Sequence, residues 1–405
     1  MTRNILSIIE NMASYGTAPE EGCSLFGVGY EQEFRQLRRT YLERRFANGG
    51  SADKIVIGPF GSGKTHFLHQ LMEVAREANC ATAKVTLNKD IDFTQSLIVM
   101  REIAREIRLP DGEGHGVKHV IRGAIERIRT KTESPEQAQL LMRGWLGGLE
   151  KADFELQEYG RVLSTACRAY HEGSAEPFEL ACRWLSGDFE DKALCAVLGV
   201  SPILQSERNL YAKRAMFTLF QFIRRAGYQG SVVCYDEAEQ GFAVEKKKVQ
   251  KIHSMLMAGI NAVTELKEGS VLFVYALTPE LVDQMDTFAA LQQRLADPGP
   301  GQSFFEGNPL APKIDMRRRT GMLEDLQSIA RRLVELMYTT YGQDMPVSKE
   351  ASLERAIDIA ERVYAEDLST SNRRTLVKEV CTMLLLLYDQ GSEAAAGAEP
   401  LESEV

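Results

Sequence analysis

Residues 55–65 of this 405-residue chain read IVIGPFGSGKT, in which an apolar run leads directly into a glycine-rich octapeptide. The octapeptide 58–65 fits the pattern G-x-x-x-x-G-K-[ST], and the residues after it have the apolar spacing of an amphipathic helix. A strand, a glycine-rich loop and a helix in this order bind phosphate, because successive backbone N–H groups point inward and the helix N-terminus adds positive charge. The sequence therefore predicts a nucleotide-binding loop at residues 58–65.

Two side chains of this loop have predicted roles in addition to those of its backbone. Lys64 is expected to reach the β- and γ-phosphates, and Thr65 is expected to supply a hydroxyl ligand to Mg²⁺. The predicted nucleotide-binding residues are Gly58, Pro59, Phe60, Gly61, Ser62, Gly63, Lys64, Thr65 and His66. The expected ligands are ATP and Mg²⁺.

A later apolar strand pattern ends in adjacent carboxylates. Residues 232–235 are apolar or neutral, and Asp236 and Glu237 follow them. A buried strand that ends in this way puts both carboxylates at the carboxyl edge of a parallel sheet, where the phosphate loop is also expected. Asp236 is predicted to hold Mg²⁺, directly or through water, and Glu237 is predicted to orient or deprotonate an attacking water.

The next strand pattern, at residues 271–277, ends in Thr278, for which two roles remain open. In P-loop proteins that hydrolyse their nucleotide, a polar side chain at this point contacts the γ-phosphate or the nucleophilic water. A threonine before a proline is also a natural N-cap for a helix, and one residue can serve both purposes.

Strands and helices alternate around these motifs, which predicts an α/β fold with a parallel sheet, the fold of P-loop nucleotide-binding proteins. Residues 93–228 have helical patterns without strand signals and are too long for one crossover helix. The predicted segments are an N-terminal helical lead-in (1–50), the first part of the ATPase core (51–92), a large helical insertion (93–228), the second part of the core (229–317), a C-terminal helical lid (318–390) and a disordered acidic tail (391–405).

Composition limits the class of protein. The fractions of hydrophobic residues (44%) and charged residues (26%) are ordinary for a soluble globular protein, and no apolar run is long enough for a bilayer span. We therefore expect a cytoplasmic protein without membrane contact. Seven scattered cysteines without a C-x-x-C spacing favour reduced, packed thiols over a zinc site. The net charge of −9 argues against a protein whose whole surface coats nucleic acid, although local basic patches are allowed.

Basic residues supply further candidates for contact with phosphates. DNA is a candidate partner of the lysine cluster formed by Lys246, Lys247, Lys248 and Lys251, and of basic residues between 118 and 131. A water-facing helix side is the alternative for both groups, because acidic residues are interleaved. The candidates for an arginine that stabilises phosphoryl charge are Arg294, Arg317, Arg318, Arg319, Arg373 and Arg374.

Four segments together resemble a known family. They are the phosphate loop, the Trp-Leu-Ser-Gly segment 184–187, the Ala-Gly-Tyr-Gln-Gly segment 226–230, and the Asp-Glu-Ala-Glu segment 236–239. Over about residues 20–390 the chain resembles the BREX ATP-binding proteins of the BrxC and BrxD type. These are bacterial P-loop ATPases linked to defence against phage, and they are similar to the initiator branch of AAA+ ATPases.

The resemblance implies more about roles than the residues alone. Thr278 resembles the sensor-one position, and Arg374 lies near the start of a late helix where these ATPases carry a sensor-two arginine. Arg373 stands where a proline is common, so the register allows a shift of one residue. The family also implies a homo-oligomer or a multiprotein defence complex, with DNA as a possible partner.

The function predicted from these observations is ATP hydrolysis coupled to a conformational change in a DNA-associated defence assembly, with Glu237, Lys64, Thr278 and Arg374 as the catalytic residues. Two alternatives remain. One is a nucleotide-gated scaffold with little turnover, and the other is a small-molecule P-loop kinase whose insertion holds the acceptor.

Overall fold

The chain was analysed as a computed structural model, which describes residues 5–88, 91, 94–111, 114–237, 256–257, 259–260, 263, 266–285, 289–319, 323–369 and 372–396. It divides into two compact units. The phosphate-loop unit comprises Met1–Phe34, Ile57–Glu73 and Asp315–Val405, and the sheet unit comprises Arg35–Val56 and Val74–Ile314. This grouping cuts across the predicted segments, because the phosphate loop belongs with the N-terminal and C-terminal helices.

A five-stranded parallel sheet forms the centre of the sheet unit. Its strands are β1 (Ala52–Ile57), β2 (Cys80–Thr86), β3 (Gly230–Asp236), β4 (Val271–Leu277) and β5 (Lys313–Asp315). Every residue of β3 and of β4 is buried, which explains why these strands are continuous apolar runs in the sequence. The α/β fold predicted from the alternation of strands and helices is confirmed.

The strand order is β2-β3-β4-β1-β5. β2 and β3 are parallel neighbours whose register pairs Thr86 with Asp236, and β3 and β4 are parallel neighbours whose register pairs Tyr235 with Tyr275. Because the strands are parallel, the carboxyl ends of β3 and β4 lie side by side at one edge of the sheet. β4 lies between β3 and β1, so β3, which ends in Asp236, is two positions from β1, which leads into the glycine-rich loop.

Helices fill the block between β2 and β3, as the sequence pattern predicts. They are Ser96–Glu106, Val117–Arg129, Pro135–Glu150, Gln157–Glu172, Ala175–Leu185, Lys192–Leu198 and Arg208–Arg225. Local sequence sets several of their ends: Ser134 and Asp191 accept hydrogen bonds from backbone N–H groups as N-caps, and Gly173 and Gly199 end helices in the left-handed conformation. Between β4 and β5 the described α-helices are Pro279–Met285 and Ala289–Leu295.

The phosphate-loop unit is mainly helical and has its own apolar core. Its longer helices are Ile5–Tyr15, Lys64–Glu77 (which continues past the unit boundary), Leu323–Tyr341, Lys349–Glu366 and Asn372–Ala396. Ile9, Met12, Leu333 and Leu384 are fully buried members of one cluster, so the N-terminal helix packs with the C-terminal helices. The last helix includes residues 391–396, where composition predicted a disordered tail; residues 397–405 lie outside the described residues.

Among the described residues, none of the helices combines the length and the hydropathy needed to cross a bilayer.

Candidate nucleotide-binding site

The backbone of the glycine-rich loop has the conformation that its sequence predicts. Gly61 has a φ of 79° and Gly63 a φ of 90°, a backbone conformation that residues other than glycine rarely adopt. A Cβ atom on Gly58 would lie 2.3 Å from the Oγ atom and 3.2 Å from the Cβ atom of Ser62, so a side chain at position 58 would displace Ser62. The glycines thus give a compact turn between β1 and the helix Lys64–Glu77.

Two side chains of this loop fit a phosphate ligand. Lys64 is 8% exposed, and its ammonium lies over the loop, where it donates to the carbonyls of Gly58 (2.7 Å) and Pro59 (3.2 Å). The Oγ atom of Ser62 is buried without a hydrogen-bond partner among the described residues. Leaving a buried polar group unpaired costs about 1–3 kcal/mol of folding free energy. A phosphate oxygen would give this hydroxyl an acceptor and would give the ammonium a stronger one.

The other predicted members of the loop differ in exposure. The ring of Phe60 is 66% exposed, and the ammonium of Lys64 lies 5.4 Å from its centroid. Thr65, the predicted metal ligand, is half-buried at the second residue of the helix Lys64–Glu77. His66 follows it, and its ring centroid lies 5.1 Å from that of Phe26. Burial, together with the charges of His69 and Arg373, lowers the pKa of His66 to about 4.

A buried carboxylate, which sequence reasoning missed, anchors the loop's helix to the N-terminal segment. Glu73 is 3% exposed and accepts hydrogen bonds from the backbone N–H groups of Gly22, Cys23 (3.0 Å) and Ser24 (2.9 Å). It therefore caps the short helix Cys23–Phe26 from a distant part of the chain. In the sequence Glu73 directly follows the apolar positions Leu71 and Met72 of an amphipathic helix, and this placement does not distinguish it from a solvated helix residue.

Arg373, and not Arg374, lies beside the phosphate loop. A Cβ atom on Gly63 would lie 3.9 Å from Nη1 of Arg373, while Nη2 donates to Oδ2 of Asp325 at 2.6 Å. Arg374 is exposed and packs against Gly16, in a surface cleft of the C-terminal helices that Lys378 also lines. Arg373, the alternative that a one-residue shift allows, is therefore the nearer of the two arginines to the loop, and the role predicted for Arg374 stays a prediction.

The acidic residues lie at the end of β3 in the sheet unit. Asp236 is 3% exposed, its Oδ1 atom accepts from the backbone N–H of Glu237 at 3.0 Å, and its carbonyl accepts from Leu87 at 2.9 Å. Glu237 is half-buried with a φ of 54°, the left-handed conformation that a glutamate adopts at a cost of about 1–2 kcal/mol. Backbone strain of this kind is concentrated at functional sites, which is consistent with the predicted role of Glu237.

Thr278 follows the neighbouring strand at the same edge. It is 4% exposed and directly precedes the helix Pro279–Met285, so both predicted roles remain possible for it. Because β3 and β4 are adjacent and parallel, their carboxyl ends bring Thr278 close to the position of Asp236 and Glu237.

Most of the other basic candidates whose contacts are described are engaged elsewhere. Lys118 pairs with Glu179, Arg127 with Asp111 and Arg129 with Glu126, and the guanidinium of Arg122 lies over the rings of Tyr170 and Phe178. Arg317 forms an ion pair with Asp315 at 2.6 Å, and Arg294 is exposed in the helix Ala289–Leu295. The lysine cluster Lys246, Lys247, Lys248 and Lys251 lies outside the described residues.

Comparison with known proteins gives one result for the family. No match was found among curated proteins. The family model described as "BREX system ATP-binding protein BrxC/D" matches residues 2–396, which is nearly the whole chain. The chain is therefore a member of the BrxC/BrxD family of BREX system ATP-binding proteins.

Proposed function

We propose that this protein is an ATPase that couples the hydrolysis of Mg²⁺-bound ATP to a conformational change within a DNA-associated BREX assembly. The observation that carries the proposal is the strand order: only β4 separates β3, which ends in Asp236 and Glu237, from β1, which leads into the phosphate loop. In a parallel sheet, ligands bind beyond the carboxyl ends of the strands. The loop that follows β1 offers a phosphate cradle, and the end of β3 offers a metal-binding carboxylate and a second carboxylate that can act on water.

Each residue of the proposed site has a role that its chemistry supports. The amides of the glycine loop and the ammonium of Lys64 bind the phosphates, while Thr65 and Asp236 hold the metal ion. Bound Mg²⁺ would neutralise charge on the β- and γ-phosphate oxygens. Glu237 accepts a proton from, or orients, the water that attacks in line, and Thr278 is available to contact that water or the γ-phosphate.

The phosphate-loop unit offers a route from hydrolysis to movement. The side chain of Arg373 extends from the first turn of the helix Asn372–Ala396 to the neighbourhood of Gly63. A guanidinium in this position makes stronger hydrogen bonds to a triphosphate than to a diphosphate, because more phosphate charge is within its reach. Loss of the γ-phosphate would weaken that attraction and release the helix, which is how ligand hydrolysis biases a two-state element.

Single-turnover hydrolysis tests this proposal. Wild-type protein in excess over ATP should release phosphate without an added acceptor, and Glu237→Gln should bind ATP with unchanged affinity but release phosphate at least about a hundredfold more slowly. Equal, very slow rates in the two proteins would favour a nucleotide-gated scaffold. Phosphate release that depends on an added acceptor would favour a kinase.

Association with DNA is a separate part of the proposal and rests on the lysine cluster at 246–251 and on the family. Binding of a duplex oligonucleotide should weaken steeply as salt increases, because phosphate contacts release counterions. Replacement of Lys246, Lys247, Lys248 and Lys251 by glutamine should reduce both the affinity and the salt dependence. An unchanged affinity would remove this cluster from the proposal and leave the ATPase part intact.

An assembly of several copies, in which a neighbouring subunit adds an arginine, is the expected setting and is testable by mass measurement with and without ATP.

A further inference from the structure

The ion pair between Asp325 and Arg373 is the most enclosed of the C-terminal helices among the described residues. The Arg373 side chain is 12% exposed and the Asp325 side chain 27% exposed, and Nη2 lies 2.6 Å from Oδ2. By contrast, Glu379, which lies on the same helix as Arg373, pairs with Arg362, whose side chain is 49% exposed. Exposed pairs of this kind contribute little to stability. Removal of one partner from the enclosed pair is therefore expected to have a larger effect than removal of one partner from the exposed pair.

The two terminal nitrogens of the Arg373 guanidinium have different neighbours. Nη2 is bound by the carboxylate of Asp325, while Nη1 lies 3.9 Å from the position of a Cβ atom on Gly63. Because the guanidinium is planar and rigid, fixing one nitrogen also fixes the direction of the other. Asp325 thus determines where Nη1 points.

The carboxylate of Asp325 is half-buried beside the N-terminal segment. A Cβ atom on Gly29, which has a φ of 87°, would lie 3.6 Å from the Oδ1 atom of Asp325. Its first oxygen thus faces the N-terminal segment and its second oxygen binds Arg373. An ion pair that already holds the guanidinium in one orientation reduces the side-chain entropy that the arginine loses when a phosphate binds.

We propose that Asp325 is a positioning residue for nucleotide binding, which holds Arg373 by Nη2 so that Nη1 is presented to the phosphates at the glycine loop. This inference rests on the proposed ATP site and extends it by a residue that touches neither ATP nor the metal ion. Without Asp325, the long arginine side chain samples other rotamers and its phosphate contact becomes weaker. Asp325 thereby acts only through Arg373.

The test is a double-mutant cycle on the affinity for a fluorescent ATP analogue. Asp325→Asn and Arg373→Ala should each weaken binding about tenfold, which corresponds to the loss of one charge-assisted contact. The double variant should bind no more weakly than Arg373→Ala, because Asp325 has no other route to the nucleotide. Asp325→Glu, which keeps the charge but moves it by one methylene, should give an intermediate loss and serves as a second variant if Asp325→Asn folds poorly.

The controls separate this inference from the proposed function. Glu379 lies on the same helix as Arg373, and Glu379→Gln breaks its exposed pair with Arg362 of the helix Lys349–Glu366, so the affinity should be unchanged. If wild type does not bind the analogue, or Lys64→Ala binds as well as wild type, the ATP site itself is refuted. If those two proteins behave as expected but Asp325→Asn retains wild-type affinity, only the inference about Asp325 is overturned. An equal loss from Asp325→Asn in the wild-type and Arg373→Ala backgrounds overturns it as well, because it would show a purely structural role.

Discussion

The Nη1 atom of Arg373 lies 3.9 Å from the point that a Cβ atom of Gly63 would occupy, so a residue of the last long helix reaches the middle of the phosphate loop. The two residues are 310 positions apart in sequence (373 minus 63) and belong to the same compact unit. Their proximity puts the first turn of the last long helix beside the loop that is proposed to bind phosphate. Because the two residues are this close, a side chain introduced at position 63 would contact Arg373.

The adjacent arginines at the start of this helix form a matched pair of variants. Arg373→Ala should weaken ATP binding about tenfold and reduce single-turnover hydrolysis, because a charge-assisted contact to phosphate is lost. Arg374→Ala removes the same side chain from an exposed position in the cleft with Lys378 and should leave both quantities unchanged. Nucleotide titration and phosphate release measured on the two purified variants check this prediction. The reverse result, with Arg374 the sensitive residue, would restore the register expected from the family.

Gly58 is predicted to be essential for binding and not for folding. In Gly58→Ala the new methyl group would lie 2.3 Å from Oγ of Ser62, so Ser62 must shift and the amides of the loop are expected to converge less well on one phosphate. We expect ATP affinity to fall at least about tenfold, by the loss of one or more charge-assisted hydrogen bonds.

Gly144 supplies the control for that variant. It lies in the helix Pro135–Glu150 with open space where a Cβ atom would be, so Gly144→Ala should raise the free energy of unfolding by about 0.5–1 kcal/mol without changing ATP affinity. Chemical denaturation and nucleotide titration of both variants give the comparison. Wild-type affinity in Gly58→Ala would contradict the assignment of the loop.

The backbone conformation of Glu237 is expected to lower the stability of the protein, while its carboxylate is expected to be needed for hydrolysis. Its left-handed backbone is strained for glutamate but not for glycine, so Glu237→Gly should raise the free energy of unfolding by about 1 kcal/mol while abolishing hydrolysis. Glu237→Gln keeps the strain and should lose hydrolysis at unchanged stability. Denaturation curves of the three proteins separate backbone strain from side-chain chemistry. A glycine variant that is less stable than wild type would show that the carboxylate makes a stabilising contact that outweighs the strain.

His66 makes the stability of the protein dependent on acid pH. Its pKa is lowered to about 4 in the folded protein from 6.5, so protons bind the unfolded chain more readily. The stabilisation is complete above pH 6.5 and is lost as the pH falls towards 4, by on the order of 2 kcal/mol between pH 7 and pH 5. Urea denaturation at these two pH values should show a smaller loss in His66→Gln than in wild type. The same loss in both proteins would assign the acid sensitivity to other groups.

Several features were predictable because local sequence determines them. β4 has the predicted bounds Val271–Leu277, since a fully buried strand is a continuous apolar run with a proline-initiated helix after it. The glycine loop was predictable because its positive φ angles require glycine at Gly61 and Gly63. The position of Asp236 and Glu237 at the end of a buried strand was predictable because an apolar run followed directly by carboxylates can be read from the sequence.

The remaining features depend on contacts between distant segments. Consecutive residues on a helix point about 100° apart, so sequence could not decide whether Arg373 or Arg374 reaches Gly63. Glu73 and Asp325 have functional surroundings only because the N-terminal segment packs against them, and nothing in their local sequence distinguishes them from solvated helix residues. The order of the strands, with β4 between β1 and β3, is likewise a property of the folded chain.

The most direct test of the central claim asks whether Lys64 and Asp236 act on one metal-bound nucleotide. Electron paramagnetic resonance can measure the affinity for Mn²⁺, used in place of Mg²⁺, with and without a slowly hydrolysed ATP analogue. Wild type should bind one Mn²⁺ tightly only when the analogue is present, and both Lys64→Ala and Asp236→Asn should lose that nucleotide-dependent binding. Retention of wild-type, nucleotide-dependent Mn²⁺ affinity by Asp236→Asn would contradict a shared site.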